Sequence, residues 1–476
     1  MPLIPGRRHI RRGVGKTWGC SGKLLEAFLS LGADMDVRII VETTAETGEK
    51  RTEELRRLSL SDQCHSELGL KLEQGKALLA QLQGSILRHQ IEEISAASRT
   101  CPCCGHARPV HDYRTRVLDT LFGRFSLMVP RRRKCACRAG KSDLLSPFAE
   151  VIRDRATPEL KMLQAELGAR HSFREAARIL ETFLPCAKQH NTTVHNRLGK
   201  VAKDITDAEP PVCETLSSNP LTVFIDGAHI RCRPEYQKRH LDVVVGKIET
   251  RDMCRRFGLA PQAASWSASQ LRRQLDAIGW DDRRPITVIS DGEVALPNLL
   301  RGATKGKVRH ILDWWHISMR IQHVENAIKG LVQREDFPGT AAIFTKAAET
   351  LRWYLWHGKI QVAGTNLRWL IVDCARLAKY EPVVRDQAQK ALARCHDLHS
   401  YLAHNMGSLV NYGKRYRRGM PISTSRAEGC VDDIGNARMG KRRRMRWSPR
   451  GAHNVAVTRA AVLDGRLSVS IHKIAA

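Results

Sequence analysis

Two short apolar runs, Thr222-Val-Phe-Ile-Asp226 and Ile286-Thr-Val-Ile-Ser-Asp291, are each followed directly by glycine. Apolar runs rich in β-branched residues and closed by Asp-Gly have the texture of buried strands that end in acidic turns. The same pattern predicts strands over 221–226, 240–248, 285–290 and 308–312, with a helix from about 267 to 278. Strands alternating with a helix predict an α/β arrangement from Leu221 onward. Residues 315–415 then hold helical spacing almost throughout.

Upstream the periodicity is mostly helical. Leu68, Leu72, Leu79, Leu82, Ile86, Ile91 and Ile94 recur at helical spacing in residues 66–97, which suits a helix packed locally better than a dimerisation helix. Val37 to Glu42 is β-like. Thr157-Pro158-Glu159 is a helix start, with a threonine to cap and a proline in the first turn. Helical patterns over 172–180 and 191–202 follow, interrupted by Pro185, and 207–220 has a linker's composition. The Gly- and Arg-rich residues 1–34 show weak periodicity and read as a basic extension, possible upstream of a natural start at Met35. Gly15-Lys16-Thr17 lacks the leading glycine and the strand of a phosphate-binding loop, so no nucleotide cofactor is expected.

Charge narrows the class of partner. Lys plus Arg number 78 against 49 Asp plus Glu in 476 residues, a net charge of +29, which favours a polyanion through phosphate contacts and counterion release. No apolar stretch is long enough to span a membrane, and a reducing cytoplasm is the expected location.

Five of the 14 cysteines crowd into residues 101–137, a clustering that suggests metal rather than disulfides. Cys101-Pro-Cys103-Cys104-Gly105 contains a C-x-x-C knuckle, and Cys135-Ala-Cys137 offers a second, shortened pair. A hairpin turning near Gly123 would join them around structural Zn²⁺, since four ligands leave no open position. Cys101, Cys104, Cys135 and Cys137 are the first choice of ligands; Cys103, His106 and His111 compete, and unliganded packed thiols are the alternative. Arg131, Arg132, Arg133 and Lys134 beside the cluster are expected to face phosphate. Residues 191–203 have the composition of a recognition helix, with Thr192, Thr193, Asn196, Arg197 and Lys200 placed to reach DNA. Lys441, Arg442, Arg443, Arg444 and Arg446 form a dense cationic run expected to clamp the DNA backbone; Trp447 reads as a wedge or, preferably, a core residue.

The acids carry the chemistry. Attack at phosphorus needs a deprotonated oxygen and charge relief on the leaving oxygen, and two Mg²⁺ (or Mn²⁺) about 4 Å apart on hard carboxylates supply both. Asp226 and Asp291 close neighbouring strands, and Glu428 in Ser425-Arg-Ala-Glu-Gly would arrive from a helix. Each Asp-Gly alone is an ordinary turn, Ser425 and Glu428 also match a capping box, and Glu293, Asp432 and Asp433 are alternatives for the third acid. His310-Ile-Leu-Asp313-Trp-Trp-His316 sets Asp313 and His316 one turn apart at a strand-to-helix junction.

At these residues the chain resembles bacterial insertion-sequence transposases of the DDE type, in the branch allied to Mutator-like elements that includes the Kra-type insertion sequences. The motifs are Phe-Ile-Asp226-Gly-Ala, Ile-Ser-Asp291-Gly, Leu-Asp313-Trp-Trp-His316 and Ser-Arg-Ala-Glu428-Gly-Cys-Val. Arg438-Met and Met445-Arg-Trp447-Ser-Pro follow them, and the match covers most of residues 36–465. The resemblance implies a multidomain α+β protein whose RNase H-like α/β catalytic core carries a large all-α insertion. It implies Asp226, Asp291 and Glu428 as the metal-binding acids, with Asp313 and His316 as the D-x-x-H element. The domains expected are an N-terminal strand and helical region (35–98), a zinc-knuckle hairpin (99–150), a helix-turn-helix (151–206), a core first part (221–314), the helical insertion (315–420) and a core last part (421–476). Such a protein would act in the bacterial cytoplasm, beside the nucleoid, bind the terminal inverted repeats of its element and its target DNA, as a homodimer or higher oligomer, and catalyse strand cleavage and transfer. A non-catalytic DNA-binding regulator and a nuclease that joins nothing are the rival readings.

Overall fold

A computed structural model describes residues 36–44, 48–59, 69–135, 137, 144–149, 154–208, 220–263, 267–333 and 338–467, without the side chains of 338–341, 426–428 and 441. The expected basic extension 1–34 and most of the expected linker (209–219) therefore lie outside the described residues. The chain divides into two units, Met1–Arg155 with Phe183–Ala187, and Ala156–Thr182 with Lys188–Ala476.

In the first unit, β1 (Asp36–Thr44) and β2 (Lys50–Ser59) pair as an antiparallel hairpin. Helix α1 (Leu72–Ala97) is fastened to it by Ser85 Oγ, which donates to Glu53 at 2.7 Å, and by Arg88, which donates to the same carboxylate at 2.9 Å. The other side of α1 packs Leu87, Ile91 and Ile94 against Leu118, Leu127 and Val129 of the next hairpin and against Phe148 beyond it. Only the end of the predicted stripe, Ile91 and Ile94, is used there; Leu72, Leu79 and Ile86 are exposed. That hairpin, β3 (Val110–Thr120) and β4 (Gly123–Arg133), turns at Gly123, whose φ of 147° a side chain would resist. The two-residue β5 (Leu144–Leu145) pairs with the end of β4.

The second unit opens with α2 (Pro158–Arg170), α3 (Phe173–Phe183) and α4 (Asn191–Asp207). Thr157 Oγ1 caps α2 by accepting from Leu160 N, with Pro158 in the first turn. Seven residues, 184–190, separate α3 from α4, more than the three or four of a helix-turn-helix, so the expected motif is not met in its usual spacing. Nor do these helices stand apart: α2 and α4 pack with the C-terminal helix α14 (Pro449–Leu463), and Ala165, Ala169, Leu198 and Val201 share one core with Ala452, Val455 and Ala456.

A five-stranded mixed sheet organises the rest. Strands β6 (Thr222–Arg231), β7 (His240–Glu249) and β8 (Cys254–Leu259) are antiparallel; β9 (Ile286–Ser290) runs parallel to β6, and β10 (Val308–Leu312) parallel to β9, giving the order β10-β9-β6-β7-β8. Strand β8 is not foreseen in the sequence, because Cys254-Arg-Arg-Phe-Gly-Leu lacks an apolar run. One face of the sheet, with Val223, Ile225, Ile286 and Val288, packs on α5 (Ser267–Asp276) and α6 (Ala295–Thr304).

The opposite face meets two groups of helices. Phe224, Ile289 and Ile311 join the core of α7 (Trp314–Val332), α8 (Pro338–Trp356), α9 (Ile360–Tyr380) and α10 (Arg385–His404). Helix α7 reaches that core with Ile317, Ile321, Val324, Ile328 and Leu331, a stripe at alternating three- and four-residue steps. After the short α11 (Tyr412–Arg417), α12 (Ser425–Cys430) continues through a π-helical segment (Val431–Asn436) into α13 (Ala437–Met439). With α14 these cover Ala228 and Ile230. Gly258 makes this close: a Cβ there would stand 2.8 Å from Ile434 and 3.0 Å from Ala456. None of the described helices is long and apolar enough to cross a membrane.

Candidate functional site

Strand β6 does not stop at its aspartate as the Asp-Gly pattern predicts. It continues for five residues beyond Asp226, because Gly227 to Arg231 go on pairing with β7. Its register with β9 is what positions the acids. Phe224 pairs with Ile289; Asp226 lies two residues further along β6, and Asp291 is the first residue past the end of β9. The parallel pairing thus brings both aspartates to one end of these strands, near enough for the Asp291 charge to act on Asp226. Along one face of β6, Phe224 belongs to the core beneath the helical insertion and Ala228 to the core beneath α12–α14, so Asp226 occupies the seam between them.

The seam is electrostatically tense. Burial, followed by the charges of Asp291 and Asp313, raises the Asp226 pKa, against the opposing influence of the Gly227 N–H, which donates to Oδ1 at 2.7 Å, and of His316. Anionic oxygens gathered in a partly desolvated place are a fitting donor set for a hard divalent cation. Asp291 accepts from Glu293 N at 3.0 Å, and its own carbonyl accepts from Tyr401 Oη of α10 at 2.7 Å. Gly292, at φ 95°, leaves no room for a side chain: a Cβ would fall 2.8 Å from Leu312 and 2.9 Å from Asn405. His310 ties the same strand end down, between Ser290 Oγ at 2.8 Å and Ser408 Oγ at 2.7 Å, and burial holds its pKa down at about 4.

Asp313 and His316 have different duties. Asp313 is fully buried and caps α7 by accepting from Trp315 N at 2.7 Å; its second oxygen accepts from Thr424 Oγ1 and lies 4.0 Å from His316 Nε2. Asp313 is thus held by α7 and by Thr424, His316 beside it is half-buried, and the charges of both act on Asp226. Thr424 precedes Ser425, and Trp314 N donates to Ile422 O at 3.0 Å, so the entry to α12 is pinned beside Asp313. Helix α12 itself packs on β6 and β7. Glu428 rides on this helix; its side chain lies outside the described residues. Of the alternatives, Glu293 places Oε2 3.6 Å from where a Gly227 Cβ would point, the face opposite Asp226, and Asp432 is taken by Asn436 at 2.9 Å.

The cysteines converge as first chosen. The sulfurs of Cys101, Cys104, Cys135 and Cys137 all lie within 4.8 Å of one another and can hold a zinc-like ion. Cys137 stands 3.5 Å from Cys101, 3.1 Å from Cys135 and 3.4 Å from Cys104, close to the roughly 3.8 Å edge that a tetrahedral ZnS₄ group requires. Cys103 is exposed and outside the group, and His111 pairs with Asp112. Against burial, the Cys103 and Cys104 N–H groups pull the Cys101 thiol down to about 5. Arg108, which nothing in the sequence marks, is buried with Nη2 3.0 Å from Cys101 Sγ.

The basic residues divide. Arg132 turns inward, beside a register shift between Val110 and Asp112, and donates to Ser98 Oγ, Ser95 O and Arg108 O; the expectation that it faces phosphate is corrected. Arg131 is paired with Asp112, leaving Arg133 exposed and Lys134 half-buried. On α4, Thr192, Asn196 and Lys200 are exposed, whereas Thr193 and Arg197 are half-buried beside the inward Val194 and Leu198. Arg442, Arg443, Arg444 and Arg446 are exposed; the Lys441 side chain lies outside the described residues. Trp447 is a core residue, 6% exposed. Arg438, 2% exposed, lies between the Trp447 and Phe173 rings at 4.9 and 5.0 Å and donates to Gly168 O, which is what the Arg-Met and Trp-Ser-Pro elements accomplish together.

No protein-family model matches this chain, and no curated protein matches it either.

Proposed function

We propose that this protein is a DNA transposase of the DDE type, with an RNase H-like core in which Asp226, Asp291 and Glu428 hold two Mg²⁺ or Mn²⁺ ions. One observation carries the reading. Asp226 on β6 and Asp291 just past the end of the parallel neighbour β9 lie close enough to interact, and the entry to the helix bearing Glu428 is pinned by the Thr424–Asp313 hydrogen bond near them. The sheet order β10-β9-β6-β7-β8, three antiparallel strands continued by two parallel ones, supports an RNase H-like core, and the helices between Asp291 and Glu428 support the all-α insertion.

Bound divalent ions would lower the cost of negative charge on the attacking and leaving oxygens. Asp226, Asp291 and Glu428 would together hold the ions. His316, oriented by Asp313, is placed to donate a hydrogen bond to a phosphate oxygen or accept a proton from the attacking hydroxyl. In the first step water attacks phosphorus and the P–O3′ bond breaks, freeing a 3′-hydroxyl. In the second that hydroxyl attacks a target phosphorus, one phosphodiester replaces another, and no outside energy source is needed. Zinc is the proposed occupant of the four cysteines.

The test compares the wild type with Asp226→Asn on plasmid DNA and on oligonucleotides bearing element ends, in Mg²⁺ and in Mn²⁺. Nicking and joining are expected to fall by about 10³-fold or more, the scale of losing a principal electrostatic group, with DNA affinity retained. A variant that still cleaves would refute the acid site. Pre-cut ends that are never joined to a target would leave a nuclease in place of a transposase.

A further inference from the structure

The basic segment after α13 is not a free tail. Trp447 N donates to Arg231 O at 2.9 Å and Arg233 N donates to Trp447 O at 3.0 Å, a parallel bridge that splices the segment onto the end of β6. The bridge pairs Cys232 with Trp447, and both enter the core. Alternation then turns their neighbours outward together: Arg231, Arg233 and Arg446 are all exposed on the other side of this ladder. Two of them come from a part of the sequence that shows no basic run, and they meet Arg446 only in the fold. Arg239 lies alongside, its carbonyl accepting from Cys232 N at 3.1 Å.

Neighbouring like charges on a ladder are destabilising. Arg233 has a solvent-exposed partner in Glu235 at 3.6 Å, but among the described residues no carboxylate pairs with Arg231 or Arg446. We infer that this arginine row is a second contact surface for duplex DNA, binding its phosphates about five base pairs from the reacting phosphodiester; the distance, though not the binding, rests on the proposed acid site.

The strand gives that distance. Along β6, Arg231 is five residues past Asp226, about 16 Å at roughly 3.3 Å per residue. At about 3.4 Å per base pair, 16 Å is close to five base pairs. Arg446, next to the residue bridged to the end of β6, therefore acts on flanking rather than reacting phosphates.

The experiment follows binding of the full-length protein to a fluorescent duplex in Ca²⁺ across a salt series. Each lost phosphate contact lowers the log–log slope by about 0.9, so Arg231→Ala with Arg446→Ala is expected to lower it by about 1.8. A control of equal charge, Arg368→Ala with Lys390→Ala on the helical insertion, is expected to leave it unchanged, and thermal melts of all three proteins are expected to coincide. An unchanged slope in the first pair, or an equal fall in the control, overturns the proposal. An equal loss on duplex RNA overturns the assignment to DNA. If the wild type nicks, shortening the duplex beside the mapped nick from about ten base pairs to about three is expected to remove the same slope from the wild type and none from the double variant. A wild type that nicks nothing, yet shows the slope change, would sink the acid-site reading and leave this surface standing.

Discussion

The cysteine group and the acidic seam are both candidate metal centres, and they are built in opposite ways. The cysteines come from one hairpin-sized stretch, residues 101–137, and four sulfurs close on one point in a unit with a small core of its own. The acids are scattered over some two hundred residues and meet where two large helical cores part on one face of a sheet. A small core leaves a metal to supply folding energy, and four thiolates leave no position for a substrate. Between large cores folding needs no metal, so carboxylates can be kept in repulsion with room for ions and phosphate. The contrast separates a group suited to stabilising its unit from the seam we propose as the reacting centre.

The largest effect that could break this contrast is loss of the first metal. Cys104→Ser, or chelation, is expected to abolish cooperative melting of the first unit, because structural zinc binding is worth about 10–16 kcal/mol of folding free energy in small domains. Circular dichroism melts with metal analysis check it; an unchanged melt in zinc-free protein would remove the structural role. Next in size is Arg108. Replacing its guanidinium by Ala is expected to weaken metal retention by about 10- to 100-fold, as other outer partners of metal ligands do, with Arg108→Lys in between. Competition with a chromogenic chelator measures this, and equal retention in all three proteins would reduce Arg108 to packing.

The smallest effect bears on the acids. Because folding raises the Asp226 pKa, the folded state holds that proton more tightly than the unfolded chain does. The contribution to stability is therefore greatest at low pH and is lost as pH rises from the ordinary carboxylate pKa through the raised folded value. Without divalent ions, Asp226→Asn is expected to melt higher than wild type at pH 7, by roughly 2–4 °C per kcal/mol for a domain of this size, and to converge with it towards acid. Saturating Ca²⁺ is expected to raise the wild type and not the variant. A variant that melts lower at pH 7 would mean that the seam is not strained.

Local patterns carried much of the architecture. The apolar runs at 222–226 and 286–290, the α1 stripe, the Thr157-Pro158 start and the knuckle at Cys101 were legible because each depends on neighbours in sequence: strand period, helix period, caps and ligand spacing. The same patterns marked Asp226, Asp291 and Asp313 as residues to watch. They misjudged where β6 ends and overlooked β8, since a strand bearing Cys254-Arg-Arg is defined by its pairing with β7 rather than by its own composition.

Long-range register and burial decided the rest. That Asp226 and Asp291 come near each other follows from β6 pairing with β9. That Asp313 is held in place follows from Thr424, over a hundred residues later. Arg132 and Arg438, two arginines among 78 basic residues, were taken into the interior, where shape and hydrogen-bond acceptors admitted them. Arg231 was brought beside Arg446 by a bridge that no periodicity announces. A sequence records what each residue does to its neighbours; only the closed chain determines which distant residues become neighbours at all.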